Sequence, residues 1–220
     1  MKIAESKKEI EIYIDKISLK GNLMLVDDDF CKGVILFSHG SGSSRLSVRN
    51  NYVANLLHAQ GYSSLLMDLL TDEEGLIYEN RFDITLLTDR LLKITKWVRN
   101  YKCTKHLPII YFGSSTGAAS ALSAAAFLGN KVKAVISRGG RTDLVINNLE
   151  NVKAPTLLIA GEYDPVIIEL NKGSIKKLTT NCKLEIVKGA SHLFSEHGKL
   201  DEVAKLTSNW LNKHVQREIF

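Results

Sequence analysis

Short, unbroken apolar runs, each closed by glycine, serine or a charged loop, constrain this chain most. Gly33-Val34-Ile35-Leu36-Phe37-Ser38 is one of them. Ser63-Ser64-Leu65-Leu66-Met67, Leu107-Pro108-Ile109-Ile110-Tyr111-Phe112, Val132-Lys133-Ala134-Val135-Ile136-Ser137 and Thr156-Leu157-Leu158-Ile159-Ala160 follow. A half-exposed strand alternates apolar and polar residues, whereas a strand covered on both faces reads as a continuous run. Between the runs lie helical stripes: Tyr52, Val53, Leu56 and Leu57, stopping at Gly61, then Ile84, Leu87, Leu91, Ile94, Trp97 and Val98. Strands that alternate with helices join by right-handed crossovers, so the pattern predicts an α/β fold with a mostly parallel sheet and helices on both faces.

The remaining segments fit around that sheet. From Glu9 to Asp27, Ile10, Ile12 and Ile14 share one face, followed by Ile17, Leu19, Leu23 and Leu25, which predicts an antiparallel hairpin at a sheet edge. A short helix is expected near Ile175–Leu178, a last strand over Lys183–Val187, and an amphipathic closing helix through Val203, Leu206, Trp210, Leu211 and Val215. No repeat or linker interrupts the chain, so residues 1–220 read as one domain. The link between the strands at Ile136 and Leu158 is too short for a cap domain.

Composition excludes several classes. Hydrophobic residues are 45% and charged residues 24%, which suits a chain that buries its own core without disulfides or metal. Cys31, Cys103 and Cys182 are widely spaced with no CxxC pair, which points to a reducing cytoplasm and away from zinc. The net charge of +5 is scattered along the sequence, with no basic block of the nucleic-acid kind. The N-terminus lacks the apolar core of a signal peptide, and no stretch is long enough to span a membrane.

Gly113-Ser114-Ser115-Thr116-Gly117 joins an apolar strand to a run of small residues, Ala118 to Ala126. A Gly-x-Ser-x-Gly turn between strand and helix is a nucleophile elbow with Ser115 at its apex. The glycines admit a cramped turn, and the helix N-terminus favours developing negative charge. Functional groups of such sheets collect at the carboxyl ends of the strands. Asp164 follows the strand Thr156–Ala160, and His192 follows the strand ending at Val187. The set Ser115, Asp164, His192 suits nucleophile, orienting acid and general base. One oxyanion donor is expected from the Thr116 backbone N–H, the other from Ser41 or Gly42 in the His39-Gly40-Ser41-Gly42 loop.

Through Gly113–Gly117, Gly161–Asp164 and Gly189–His192, in the order Ser, Asp, His, the chain resembles the α/β-hydrolase superfamily, close to its dienelactone-hydrolase-like group. The resemblance covers nearly the whole chain. It implies about eight strands and cofactor-free hydrolysis of esters, thioesters or lactones. One departure stands out: dienelactone hydrolases proper carry a cysteine at the elbow, where this chain has Ser115. That directs the expectation to a serine esterase or thioesterase.

Each role has a rival. Ser114 occupies the variable elbow position, Asp143 lies one strand early, Asp68 suits loop capping, and His197 falls where the last helix begins. His39 is expected to be structural, held by nearby backbone. Arg45, Arg81, Arg138 and Arg141 all follow strands or lie in loops near the site mouth, where guanidinium groups suit a carboxylate or phosphate on the substrate. Salt bridges to loop acids are the plainer role for them. The resulting expectation is a hydrolase of small acyl substrates using an acyl-Ser115 intermediate, with neither metal nor cofactor. The alternative is a catalytically idle hydrolase fold serving as a binding or regulatory module. The N-terminal hairpin offers an edge through which two copies could pair.

Overall fold

The computed structural model describes residues 7–215. Its sheet is built from β1 (Lys7–Ile14), β2 (Ile17–Met24), β3 (Gly33–Ser38), β4 (Tyr62–Met67), β5 (Ile109–Ser114), β6 (Val132–Arg138), β7 (Thr156–Gly161) and β8 (Cys182–Val187). These eight strands lie in the order β1-β2-β4-β3-β5-β6-β7-β8. Only β2 runs antiparallel to its neighbours; the other pairs are parallel. The helices are α1 (Val48–His58), α2 (Ile84–Asn100), α3 (Thr116–Leu128), α4 (Pro165–Ile175) and α5 (Lys199–His214).

Each continuous apolar run feeds two cores. Val34, Leu36, Tyr111, Val135 and Leu158 face α2 and α3, packing with Leu87, Leu91, Ile94 and Leu122. Their neighbours Ile35, Phe37, Phe112, Ile136 and Ile159 face α1 and α5, packing with Val53, Leu57, Val203 and Leu211. Side chains on a strand alternate between faces, so both halves of a run must be apolar when both faces are covered. Helix α3 is buried almost throughout from Thr116 to Ala125. Its small side chains let it lie against the sheet, α2 and the segment Thr142–Asn151 at once.

The N-terminal hairpin turns at Asp15 and Lys16, with Asp15 at a φ of 50°, and Gly21 pairs inside β2 with Ile10 and Met67. On β1, Ile10, Ile12 and Ile14 are buried while Lys7, Glu9, Glu11 and Tyr13 face solvent. At the opposite edge, Lys183 and Glu185 of β8 pair with each other.

One helix departs from expectation. The helical segment placed near Ile175–Leu178 begins earlier, at Pro165, and ends at Ile175. Proline suits the first turn of a helix, where its missing N–H is not needed. The apolar stripe was obscured because Asn171 and Ser174 occupy buried positions on α4. Asn171 donates to the Gly140 and Ile167 carbonyls, and Ser174 shares a hydrogen bond of 2.7 Å with Thr142. The β6–β7 link, Thr142–Asn151, consists of short 3-10 turns kinked at Val145 and carries no cap.

A buried hydroxyl pair fastens α2 to the elbow strand. Thr95 donates to the Leu91 carbonyl at 2.7 Å and accepts from the Tyr111 hydroxyl at 2.6 Å. Tyr111→Phe removes one hydrogen bond and leaves Thr95 its backbone partner. We expect a loss of about 1 kcal/mol in urea denaturation, with an unchanged slope.

Candidate active site

Ser115 stands between β5 and α3 with φ 52° and ψ −122°, a conformation that non-glycine residues rarely adopt. Backbone hydrogen bonds hold it there. Its N–H donates to the Arg138 carbonyl at 3.1 Å, and its carbonyl accepts from Ala118 at 3.0 Å and Arg141 at 3.1 Å. Gly117 is required on steric grounds: a Cβ there would run into the Ser38 and His39 carbonyl oxygens. At Gly113 a Cβ would strike the backbone of Gly117 and Ala118. The elbow thus lies directly on the end of β3.

Asp164 and His192 come from adjacent strand ends. The turn after β7 closes with Asp164 N–H donating to the Gly161 carbonyl at 3.0 Å, and Pro165 opens α4. The loop after β8 is tied to that turn by the Tyr163 N–H to Ala190 carbonyl bond of 2.9 Å and by Gly189 N–H donating to Glu162 at 2.8 Å. These ties bring His192 Nδ1 to 2.5 Å from Asp164 Oδ2. A carboxylate only accepts, so Nδ1 carries the proton and Nε2 is left as the acceptor. Ser115 and His192 line one cavity of about 240 Å³. The Ser115 hydroxyl and the imidazole line this cavity without being hydrogen-bonded to each other.

The rivals are committed elsewhere. Ser114 donates to Asn50 at 3.0 Å. Asp143 is bound by Arg141 at 2.9 and 2.8 Å, a pairing that holds its carboxyl below the usual range. Asp68 accepts from the Arg45 backbone and side chain. His197 is exposed and lines a different depression.

On the oxyanion side, the Thr116 N–H opens α3 without a partner among the described residues. The Ser41 N–H, expected to be a free donor, instead donates to the Thr116 hydroxyl at 2.8 Å. Gly42 takes a φ of 70° with open space where a side chain would stand. His39 is buried, with Nδ1 at 2.9 Å from the Gly40 carbonyl and Nε2 accepting from Leu69 N–H at 3.3 Å. That uses both ring nitrogens of a neutral imidazole, and burial pushes the pKa below its ordinary 6.5.

The four arginines expected at the mouth separate. Arg45 pairs with Asp68 at 3.0 Å and Glu9 at 3.2 Å, and Arg141 pairs with Asp143. Arg81 donates to the Gly75 carbonyl at 2.8 Å and lines a second cavity of about 210 Å³, which shares Gly40 and Ser41 with the first. Arg138 lines the Ser115 cavity and is 6% exposed. A further arginine, Arg49, lines the same cavity and was not anticipated. It stands in the first turn of α1, where a cation opposes the helix dipole, and that is the signal that could have flagged it. Leu70 lines the second cavity, while Leu76, Ile77, Tyr78 and Val166 are exposed. Among the described residues, no cluster of His, Cys, Asp and Glu could hold a metal ion, and no helix is long and apolar enough to cross a membrane.

A sheet in which β4 and β3 exchange places beside an antiparallel β2, with a serine elbow after β5 and an Asp–His pair after β7 and β8, defines an α/β hydrolase. Comparison with known proteins narrows the class. A crystal structure of a dienelactone hydrolase from Anabaena variabilis is 45% identical, with a TM-score of 0.92 over 96% of this chain and 99% of that one. Est1E from Butyrivibrio proteoclasticus shares the fold at 16% identity, with a TM-score of 0.80 over 93% of this chain and 98% of that one. A Mycobacterium tuberculosis protein provisionally named a phosphoribosyl transferase is 45% identical over 208 residues, covering 94% of this chain and 46% of that protein. The chain therefore spans about half the length of the curated relatives it matches. It belongs to the dienelactone hydrolase family, whose sequence profile matches residues 22–216.

The His39 environment generates a pH prediction. The folded state disfavours the imidazolium, so the unfolded chain binds more protons below pH 6.5. The His39 contribution to stability is complete above 6.5 and is lost on acidification, by at most about 1.4 kcal/mol per pH unit. We expect denaturation midpoints to fall between pH 7 and 5, and less steeply in His39→Asn.

Proposed function

We propose that the protein is a serine hydrolase that cleaves small carboxylic esters, thioesters or lactones through an acyl-Ser115 intermediate. The observation that carries this reading is the strained Ser115 sharing one cavity with a His192 already oriented by Asp164. The Ser115 hydroxyl attacks the substrate carbonyl while His192 Nε2 takes its proton. The tetrahedral oxyanion then collapses and expels the alcohol or thiol, which receives that proton from His192. Water attacks the acyl-serine by the same route, returning the carboxylic acid and the free hydroxyl. Asp164 keeps the proton on Nδ1 and stabilises the imidazolium.

Thr116 contributes twice to the oxyanion hole. Its N–H supplies one donor, and its hydroxyl holds the Ser41 N–H that becomes the second when the substrate oxygen displaces it. The two cavities on either side of Gly40 and Ser41 give the acyl and leaving groups separate places. Cys31, Cys103 and Cys182 are all unpaired, which suits the reducing cytoplasm. The transferase name of the mycobacterial relatives is not carried to this chain, since the hydrolase profile covers nearly all of it.

A fluorophosphonate probe is expected to label Ser115 in the folded protein. Ser115→Ala should lower p-nitrophenyl acetate turnover by about 10⁴-fold or more and abolish labelling, and Asp164→Asn should lower turnover by roughly 10³–10⁴-fold. Folded protein that neither labels nor turns over an ester panel would instead favour the idle binding module. Gly117→Ala tests the elbow separately: the clash with β3 should cost about 1–3 kcal/mol in thermal denaturation and reduce labelling.

A further inference from the structure

We propose that the cavity beside Ser115 contains a phosphate subsite, in which Arg49, Arg138 and the N-terminus of α1 recognise a phosphomonoester group carried by the substrate. The proposal deepens the hydrolase reading and rests on it only for what the bound molecule then undergoes. Arg138 is almost fully buried, and its Nη1 has neither a solvent contact nor a hydrogen-bond partner. Arg49 Nε is buried and unpartnered in the same way. No Asp or Glu lines this cavity, whereas Arg45 and Arg141 each found a carboxylate. A buried cation without a counter-ion is costly, and a second, half-buried one beside it adds to that cost. Burial and the neighbouring Arg49 pull the Arg138 pKa down to about 10, which leaves its guanidinium charged at neutral pH.

The rest of the lining is suited to the same ligand. Ser43, Ser47 and Asn50 add hydroxyl and amide groups, with the Ser114 hydroxyl bonded to Asn50. The Ser47 side chain caps α1 by accepting from Asn50 N–H, and the Val48 and Arg49 N–H groups have no partner among the described residues. Free N–H groups at a helix N-terminus are a ready anion site. A phosphomonoester carries −1.5 to −2 at neutral pH and three terminal oxygens, matching two guanidinium groups and a helix end. A carboxylate would leave one positive charge uncompensated. Since Ser115 and His192 line this same cavity, the phosphate would sit a few bonds from the scissile carbonyl.

Binding is measured on Ser115→Ala protein by calorimetry and thermal shift at constant ionic strength, with phenyl phosphate, inorganic phosphate and benzoate as probes. The expected result is that phenyl phosphate binds at least tenfold more tightly than inorganic phosphate and raises the melting temperature, while benzoate does neither. Arg49→Gln should weaken phenyl phosphate binding tenfold or more. Arg138→Gln should do the same, and if it fails to fold Arg49→Gln decides alone, since Arg49 has no ion pair or side-chain hydrogen bond among the described residues to lose. Equal binding of benzoate, tighter binding of free phosphate, or full affinity in Arg49→Gln would overturn the proposal. Phosphate binding without any ester turnover in the wild type would sink the hydrolase reading and leave the subsite standing; turnover without phosphate binding would remove the subsite alone.

Discussion

The unfavourable backbone at Ser115 is the constraint on which the rest of the structure depends. A left-handed serine costs of order 1–3 kcal/mol and persists only where its surroundings over-determine it. Here the surroundings are backbone: the Arg138 carbonyl, the Arg141 N–H and the β3 carbonyls pressed against Gly117. Those contacts require α3 to lie close to the sheet, which in turn requires its small residues. The burial of α3 between the sheet, α2 and the Thr142–Asn151 segment offsets the cost of the turn.

Environment alone separates the two histidines near this turn. His39 lies inside the fold with both ring nitrogens spoken for, so it is a fixed neutral strut between the β3 loop and Leu69. His192 is partly exposed and has one nitrogen committed to Asp164, which leaves the other without a protein partner among the described residues, as the proposed proton transfer requires. The same residue type has both ring nitrogens occupied in one place and one left open in the other because of how many of its hydrogen bonds the protein completes.

The central strands and the elbow were legible in the sequence because double-sided burial forces a distinctive apolar run and because Gly113 and Gly117 have no substitute. Helix α4 was hidden, since its inner positions Asn171 and Ser174 are polar residues satisfied by Gly140, Ile167 and Thr142. Arginine positions were legible, but their fates were not. Whether a guanidinium is paired depends on distant carboxylates: Arg45 meets Asp68 from the end of β4, Arg141 meets a near neighbour, and Arg138 meets no acid. The capture of the Ser41 N–H by the Thr116 hydroxyl likewise depends on a contact between β3 and α3 loops that no local pattern encodes.

The two rims of the sheet bear on self-association. On β1 the outward residues Lys7, Glu9 and Glu11 are charged and precede Tyr13, and on β8 Lys183 and Glu185 neutralise each other along the strand. Another chain adding a strand at either rim would have to strip water from these ions without offering partners for them. Ionic fencing of this kind works against a sheet with such a greasy interior growing sideways by strand addition.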